Sequence, residues 1–360
     1  MKVAMIARST LYTASGGDTV QAIQTANMLL RQGVQVDIKL THEKINYSQY
    51  QLLHFFNIAR PADILFHIRN SSLPFAISTI YINYSEYDRN FRSGFTGALF
   101  RLFSANTIEY LKAVAKWILR KDKLVTFSYL WIGHKKSVNF ILNKAKYIFP
   151  NSYSELSRLS THFACTCPCL IVPNGIDPSL FSYNRWIKKD ETLVLCVARV
   201  EGIKNQLNLI RALNNSKYKL VIIGSAAPNQ ASYYKRCRKI AATNIFFVNH
   251  VRQEELVQYY QQAKVHVLPS WFETTGLSSL EAAAMGCNIV ITDKGDTRDY
   301  FGTDAYYCDP SSPESILESV QEAATSEFSE DLQKKIYQNY TWKQAASCTL
   351  EGYKKIISLT

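Results

Sequence analysis

Short apolar runs rich in β-branched residues alternate with longer amphipathic stretches along all 360 residues. Strands are predicted at KVAMIA (2–7), VDIKL (36–40), DILFHI (63–68), ISTIYIN (77–83), YIFPNS (147–152) and LIVPN (170–174). More are predicted at LVLCVA (193–198), KLVIIG (219–224), IFFVNH (245–250), VHVLPS (265–270) and NIVITD (288–293). Many are apolar on both faces, as in parallel sheets covered by helices. Between them lie helical patterns such as TVQAIQTANMLLRQG, which closes at Gly33 as a helix C-terminus should. The repeated strand–helix order predicts doubly wound α/β architecture. Two sheets are expected. The first series ends near Pro150, and PCLIVPNGIDPSLF (168–181) is dense in Pro, Gly, Asn and Asp and reads as a linker. A second βαβ series starts at Leu193, and beyond Asp309-Pro310 the chain turns helical, closing with TWKQAASCTLEGYKKIISL (341–359).

Composition narrows this picture. With 47% hydrophobic residues a large core is available, and global disorder is excluded. The 41 Lys and Arg against 29 Asp and Glu give +12, which attracts polyanions without choosing among them. No apolar run approaches the ~18 residues of a spanning helix. The first residues, MKVAMIARST, turn polar too soon for a signal peptide and read as a buried strand. Five of the eight cysteines are single, most in apolar segments, where a thiol packs as a small hydrophobe. The cluster Cys165, Cys167, Cys169 lacks the C-x2-C pairs of zinc sites, so no metal is expected and a reduced, cytoplasmic compartment fits.

Three segments carry candidate chemistry. In PSWFETTGLSSLEAAAMGCNIVITD (269–293), Glu273 falls in a loop and Glu281 about one turn into the helix Leu277–Met285. The helix start at Thr275, Gly276 and Leu277 offers free N–H groups and partial positive charge to a phosphate, and Gly276 permits close approach. Glu281 can accept hydrogen bonds from vicinal hydroxyls such as a ribose pair, and Glu273 from a group beyond the phosphates. Equally, one could be a capping and the other a solvated glutamate. In LVLCVARVEGIKNQLNLIRAL (193–213), Arg199 and Lys204 follow a strand end, where two cations suit a diphosphate leaving group or are simply solvated. In the first βα loop, Gly16-Gly17 precedes a helix capped by Asp18 or Thr19. The pair is not G-x-G-x-x-G, which weakens a nicotinamide-cofactor reading.

Together these segments resemble the retaining glycosyltransferases of family four, of bacterial surface-polysaccharide type. The resemblance is carried by Glu273 and Glu281 with TTGL between them, VARVEGIKNQ (197–206), VPNGID (172–177) and Gly16-Gly17. It implies the GT-B fold, two Rossmann-like doubly wound domains facing each other across a cleft. The acceptor-side domain would be 1–170 with a returning C-terminal helix at 343–360, and the nucleotide-sugar domain 171–342. Arg199 and Lys204 would then hold the diphosphate, Glu281 the ribose, and Glu273 with the backbone of Thr274, Thr275, Gly276 and Leu277 the donor sugar. His250 and Val251 would border the base, and Gly16 and Gly17 would approach the phosphates. Catalysis would rest on Arg199, Lys204 and Glu273.

One departure matters. Where many family members carry a histidine after the fourth strand, this chain reads ISTIYINYSEYDRNF (77–91), with Asn83 or Tyr84 at that place. His54 and His67 lie on other segments. Asn83, Tyr84 and Asp88 are acceptor candidates, although a solvated loop explains the run as well.

No Asp-x-Asp occurs in the chain, so cations and helix amides would replace a metal at the leaving group, and no cofactor is expected beyond a UDP- or GDP-sugar substrate. The resemblance implies retention and a saccharide acceptor, commonly lipid-linked. Rival readings are a sugar-nucleotide epimerase and a non-catalytic nucleic-acid binder. The second lacks any helix-turn-helix, RRM or zinc pattern, so no nucleic-acid partner is expected. Between Arg89 and Lys146 twelve Lys and Arg face only Glu109 and Asp122. Within 98–121, Leu99, Leu102, Phe103, Tyr110, Leu111, Val114 and Ile118 share one helical face, and Arg101, Lys112, Lys116 and Arg120 another; Asn106 with Glu109 could cap a second helix there. Such a helix can lie on an anionic membrane or pack on the core with a solvated back. The resemblance favours the membrane, at the inner face of the cytoplasmic membrane.

Overall fold

A computed structural model describes residues 1–14, 16–82, 84, 87–88, 105–118 and 126–358. The chain divides into two compact units, Met1–Asn174 with Trp342–Thr360, and Gly175–Thr341.

The first unit is built on a five-stranded parallel sheet in the order β2-β1-β3-β4-β5. Its strands are β1 (Lys2–Ala7), β2 (Gln35–Leu40), β3 (Leu52–Phe56), β4 (Phe75–Ser78) and β5 (Tyr147–Phe149). Helix Gly17–Arg31 follows β1 and packs on the closing helix Trp342–Ser358, whose Gly352 leaves no room for a Cβ: one would lie 2.5 Å from the Phe149 ring.

The structure corrects the sequence reading at several places. Residues 63–68 are not a strand but part of the helix Pro61–Arg69. Proline opens that helix, Asp63 in its first turn pairs with Arg60 at 2.7 Å, and burial on most sides erases the polar stripe that would reveal a helical period. The strand that precedes it, β3, was hidden because His54 interrupts its apolar run. That ring is fully buried between Tyr353 Oη (2.6 Å) and Ser78 Oγ (2.9 Å), and burial pushes it down to about 3. Residues 170–174 are not a strand either. They run beside β5 with one isolated bridge, Ile148 to Cys169, in a segment where Pro168 and Pro173 donate nothing. Helix Gly17–Arg31 is capped by Gly16, not by Asp18 or Thr19, which lie inside its first turn. Asn106 likewise lies inside helix Ala105–Ile118 rather than ahead of it.

The second unit carries a six-stranded parallel sheet, order β11-β10-β9-β6-β7-β8. The strands are β6 (Asp190–Val197), β7 (Lys219–Ile223), β8 (Ile245–Val248), β9 (Ala263–Leu268), β10 (Asn288–Thr292) and β11 (Tyr306–Cys308). The short edge strand β11 escapes the sequence pattern because its three residues contain no β-branched side chain and lie between Asp304 and Asp309. Apolar clusters fill both faces of the sheet, with Leu195, Ile223 and Ile289 on one and Val194, Ile222 and Val290 on the other. That explains strands apolar throughout. The chain enters and leaves the unit along adjacent segments: Ile176 N–H donates to Tyr340 O (2.9 Å), and a Cβ at Gly175 would lie 2.3 Å from the Thr341 backbone. This is why the VPNGID run needs glycine at its fourth position.

Candidate active site

In the second unit the strand order reverses between β6 and β9, and ligands of doubly wound sheets bind at the carboxyl ends of strands beside such a reversal. Arg199 and Lys204 follow β6, and Glu273 follows β9, so these candidates flank that point.

The loops are tied to each other. Trp271 N–H donates to Ile203 O (2.9 Å). Asn205, in the left-handed region (φ 58°), donates through Nδ2 to Pro269 O (3.1 Å) and Pro310 O (2.7 Å). Gln206 donates to Arg199 O (2.9 Å). Asn205 and Gln206 therefore fix the segment between the two cations. The sequence reading passed over them, although an Asn before a helix start is a known αL signal.

Lys204 Nζ reaches Glu273 Oε2 at 2.5 Å, and Ser270 Oγ donates to the same oxygen at 3.1 Å. The pair is mostly buried. Arg199 is different: it is about half exposed and paired to Glu201 at 3.0 Å, so its guanidinium is largely available to an anion. Gly276 (φ 68°) caps helix Leu277–Ala284, whose first N–H groups have no intrahelical acceptor. Thr275 turns inward, donating to Tyr300 Oη (3.2 Å), while Thr274 and Leu277 stay half-buried.

Two glycines outside the sequence reading set these backbones. A Cβ at Gly295 (φ 105°) would stand 2.0 Å from Glu273 O, and one at Gly224 (φ 146°) 2.1 Å from Ala198 O, next to Arg199. Each presses one βα loop against the next. Gly224 directly follows β7, a glycine at a strand end that marks close backbone approach, whereas Gly295 stands three residues beyond β10 inside the loop.

Glu281 is not a solvated helix residue. It is buried, its Oε1 accepting from Gln253 Nε2 and its Oε2 from Tyr260 Oη, both at 3.0 Å. Burial pushes its carboxyl up to about 7, against the two hydrogen bonds. Each oxygen keeps a further lone pair for a hydroxyl. Val251 packs partly against the core, and His250 is exposed.

In the first unit, Gly16 and Gly17 open the helix after β1, and Arg8 organises their loop. Its guanidinium holds Asp18 (2.5 and 3.1 Å), Thr10 O (2.8 Å) and Ala14 O (2.6 Å). An Arg directly after a strand with an Asp ten residues on was the missed signal. After β4, Glu155 accepts from Thr79 Oγ1, from Tyr81 N–H (2.7 Å) and from Asn151 N–H (2.8 Å), tying together the ends of β4 and β5. Asn83 lies outside the described residues. Tyr84 is exposed, but Asp88 is buried and paired to Lys112 Nζ (3.1 Å), which corrects the solvated-loop alternative. His67 is a core residue, between Tyr47 Oη (2.9 Å) and Thr41 O (3.2 Å). Among the described residues no helix is long and apolar enough to cross a membrane.

Comparison with known proteins fits this geometry. Residues 184–342 match the profile of the family described as Glycosyl transferases group 1. An uncharacterized glycosyltransferase of Methanocaldococcus jannaschii is 29% identical over 209 residues, 51% of this chain and 53% of that one. The chain spans about half the length of the curated relatives it matches. Sucrose-phosphate synthase from Thermosynechococcus elongatus superposes with a TM-score of 0.77 at 15% identity, covering 100% of both chains. Anabaena HepE, solved with UDP and glucose, superposes at 0.69 with 13% identity, covering 99% of this chain and 100% of that one. The chain thus has the GT-B fold of two parallel-sheet α/β units, and its similarity to glycosyl transferases group 1 falls on the second of them.

Proposed function

We propose that this protein transfers a hexosyl group from a UDP- or GDP-sugar to a saccharide acceptor. The observation that carries this reading is the Lys204–Glu273 pair at the β6–β9 reversal, with Arg199 on the same loop as Lys204 and a helix N-terminus at Gly276 that no side chain caps. Departure of a nucleoside diphosphate leaves negative charge on the β-phosphate. Arg199 and Lys204 offset it together with the amides at 276–278, so no metal is required at that position. Lys204 exchanges part of its contact with Glu273 for phosphate oxygens. That frees Glu273 to accept from donor-sugar hydroxyls, while Glu281 accepts from the ribose. HepE, with UDP and glucose bound, supports a nucleotide-sugar ligand. The glycosyl transferases group 1 match favours transfer over epimerisation. By the family resemblance the reaction retains anomeric configuration, and the acceptor is a lipid-linked saccharide of polysaccharide synthesis at the inner face of the cytoplasmic membrane.

The test is a panel of UDP-, GDP- and ADP-sugars screened by thermal shift, followed by product analysis with and without a saccharide acceptor. A donor that raises the melting temperature and is consumed only with acceptor supports the reading. Conversion of free donor to its epimer overturns it.

A further inference from the structure

We propose that a face formed by Phe127, Trp131, Lys135, Lys136 and Phe140 docks the first unit on an anionic lipid bilayer. The proposal deepens the lipid-linked acceptor reading and takes its purpose from it, whereas vesicle binding is measured separately from transfer.

Residues 126–146 contain four lysines and no carboxylate. They fold as helices Ser128–Ile132 and His134–Lys144, joined at Gly133 (φ 77°). One side is core: Tyr129, Val138, Ile141 and Leu142 are buried. The other side is not. Trp131 is 91% exposed and Phe127 61%, and Phe140 stands out between exposed lysines. Phe127 also meets Trp117 of helix Ala105–Ile118 edge-on at 5.7 Å, which extends the aromatic surface.

A tryptophan carries roughly 150–250 Å² of surface, and leaving it in water is unfavourable without a partner. The chemistry around it selects the partner. Protein interfaces are depleted in lysine at their centres. Lipid headgroup regions favour the combination found here, an amphipathic indole at the interface with lysines whose stems lie along apolar surface and whose ammonium groups reach phosphate. The absence of acid removes repulsion from an anionic surface. The basic face expected at Arg101, Lys112, Lys116 and Arg120 is a poorer candidate. Lys112 is already held by Asp88 (3.1 Å) and Glu109 (2.9 Å). Of the others, Arg101 and Arg120 lie outside the described residues.

The experiment uses the full chain with vesicles of phosphatidylcholine alone or mixed with phosphatidylglycerol. Binding is read by co-sedimentation and by quenching of tryptophan fluorescence with brominated lipid. Binding is expected only to the anionic vesicles, weakening as salt is added. Lys135→Ala with Lys136→Ala should weaken it roughly 30-fold, at about a factor of five per lysine. Trp131→Ala should weaken it and abolish most of the quenching. All these side chains are exposed, so the melting temperature and the donor-induced thermal shift should not change. Equal binding to neutral vesicles, no binding to either, or variants that bind as the parent does overturns the proposal. So does a concentration-dependent dimer lost in Trp131→Ala, which would give the face to a second copy. Loss of vesicle binding with intact transfer to a soluble acceptor separates this proposal from the enzymatic one.

Discussion

At the scale of single residues, the four charged candidates of the second unit sit in different surroundings, and substitution should separate them. Arg199 is about half exposed and its pair with Glu201 contributes little to stability. Arg199→Ala should leave the melting temperature unchanged and lower kcat by about 10²- to 10³-fold, as loss of a positioned transition-state donor does. Lys204→Ala leaves the carboxylate of Glu273 mostly buried without its cation, so it should cost stability as well as turnover, up to about 3 kcal/mol. Lys204→Ala combined with Glu273→Gln should recover the melting temperature and not the activity. A double variant that restores neither would show that the pair is not what holds the loop. Glu281 adds a pH signature. Its carboxyl is raised by burial to about 7, so the folded state favours the protonated form. Stability contributed by that proton is complete below the unfolded value near 4.5 and is lost as pH rises through about 7. Melting curves between pH 4.5 and 8 should fall more steeply for the parent than for Glu281→Gln, and parallel curves would contradict the assignment. The residue types and spacing of this set were legible in the sequence. Its partners were not, because Gln253, Tyr260 and Ser270 reach the carboxylates only through tertiary packing.

At the scale of elements, loops at the strand ends of the second unit are set by close backbone contacts as well as by side chains. Gly295 lies against Glu273, and Gly224 against Ala198, each with a φ that other residues adopt only under strain. Replacing Gly295 with Ala must push the Glu273 carbonyl away, because the contact is with backbone and cannot yield by a rotamer change. Gly295→Ala should therefore reduce transfer at least tenfold while far-ultraviolet circular dichroism stays unchanged, and Gly224→Ala should do the same through Arg199. Normal kcat in both would show that the loops tolerate displacement. Sequence periodicity located most of the strands and helices but failed where environment overrides it. Pro61–Arg69 is a buried helix without a polar stripe, and β3 carries a polar His54 that finds partners inside. A helix and a strand buried all round give the same apolar run, so period alone cannot separate 63–68 from 52–56.

At the scale of the whole chain, the alternation of strand and helix made the two parallel sheets legible. The pairing order was not, because it depends on which side each crossover returns. Arg199, Lys204, Glu273 and Glu281 all come from the continuous stretch Gly175–Thr341, whereas the first unit needs Met1–Asn174 and Trp342–Thr360 together. Helix Trp342–Ser358 packs on helix Gly17–Arg31, buries Tyr353 against His54 and seats Gly352 on Phe149. Ending the chain after Thr341 would expose those apolar groups of the first unit and leave the sheet of the second unit whole. The shortened protein should melt in two separated steps, the first unit losing stability by several kcal/mol for the buried aromatic and aliphatic contacts removed. A nucleotide sugar should still raise the later transition, because the residues assigned to ribose and diphosphate remain in place. Differential scanning calorimetry with and without donor decides the matter. A donor that no longer shifts either transition would mean that the first unit supplies an indispensable part of donor affinity, and the assignment of the nucleotide to Arg199, Lys204 and Glu281 alone would fall.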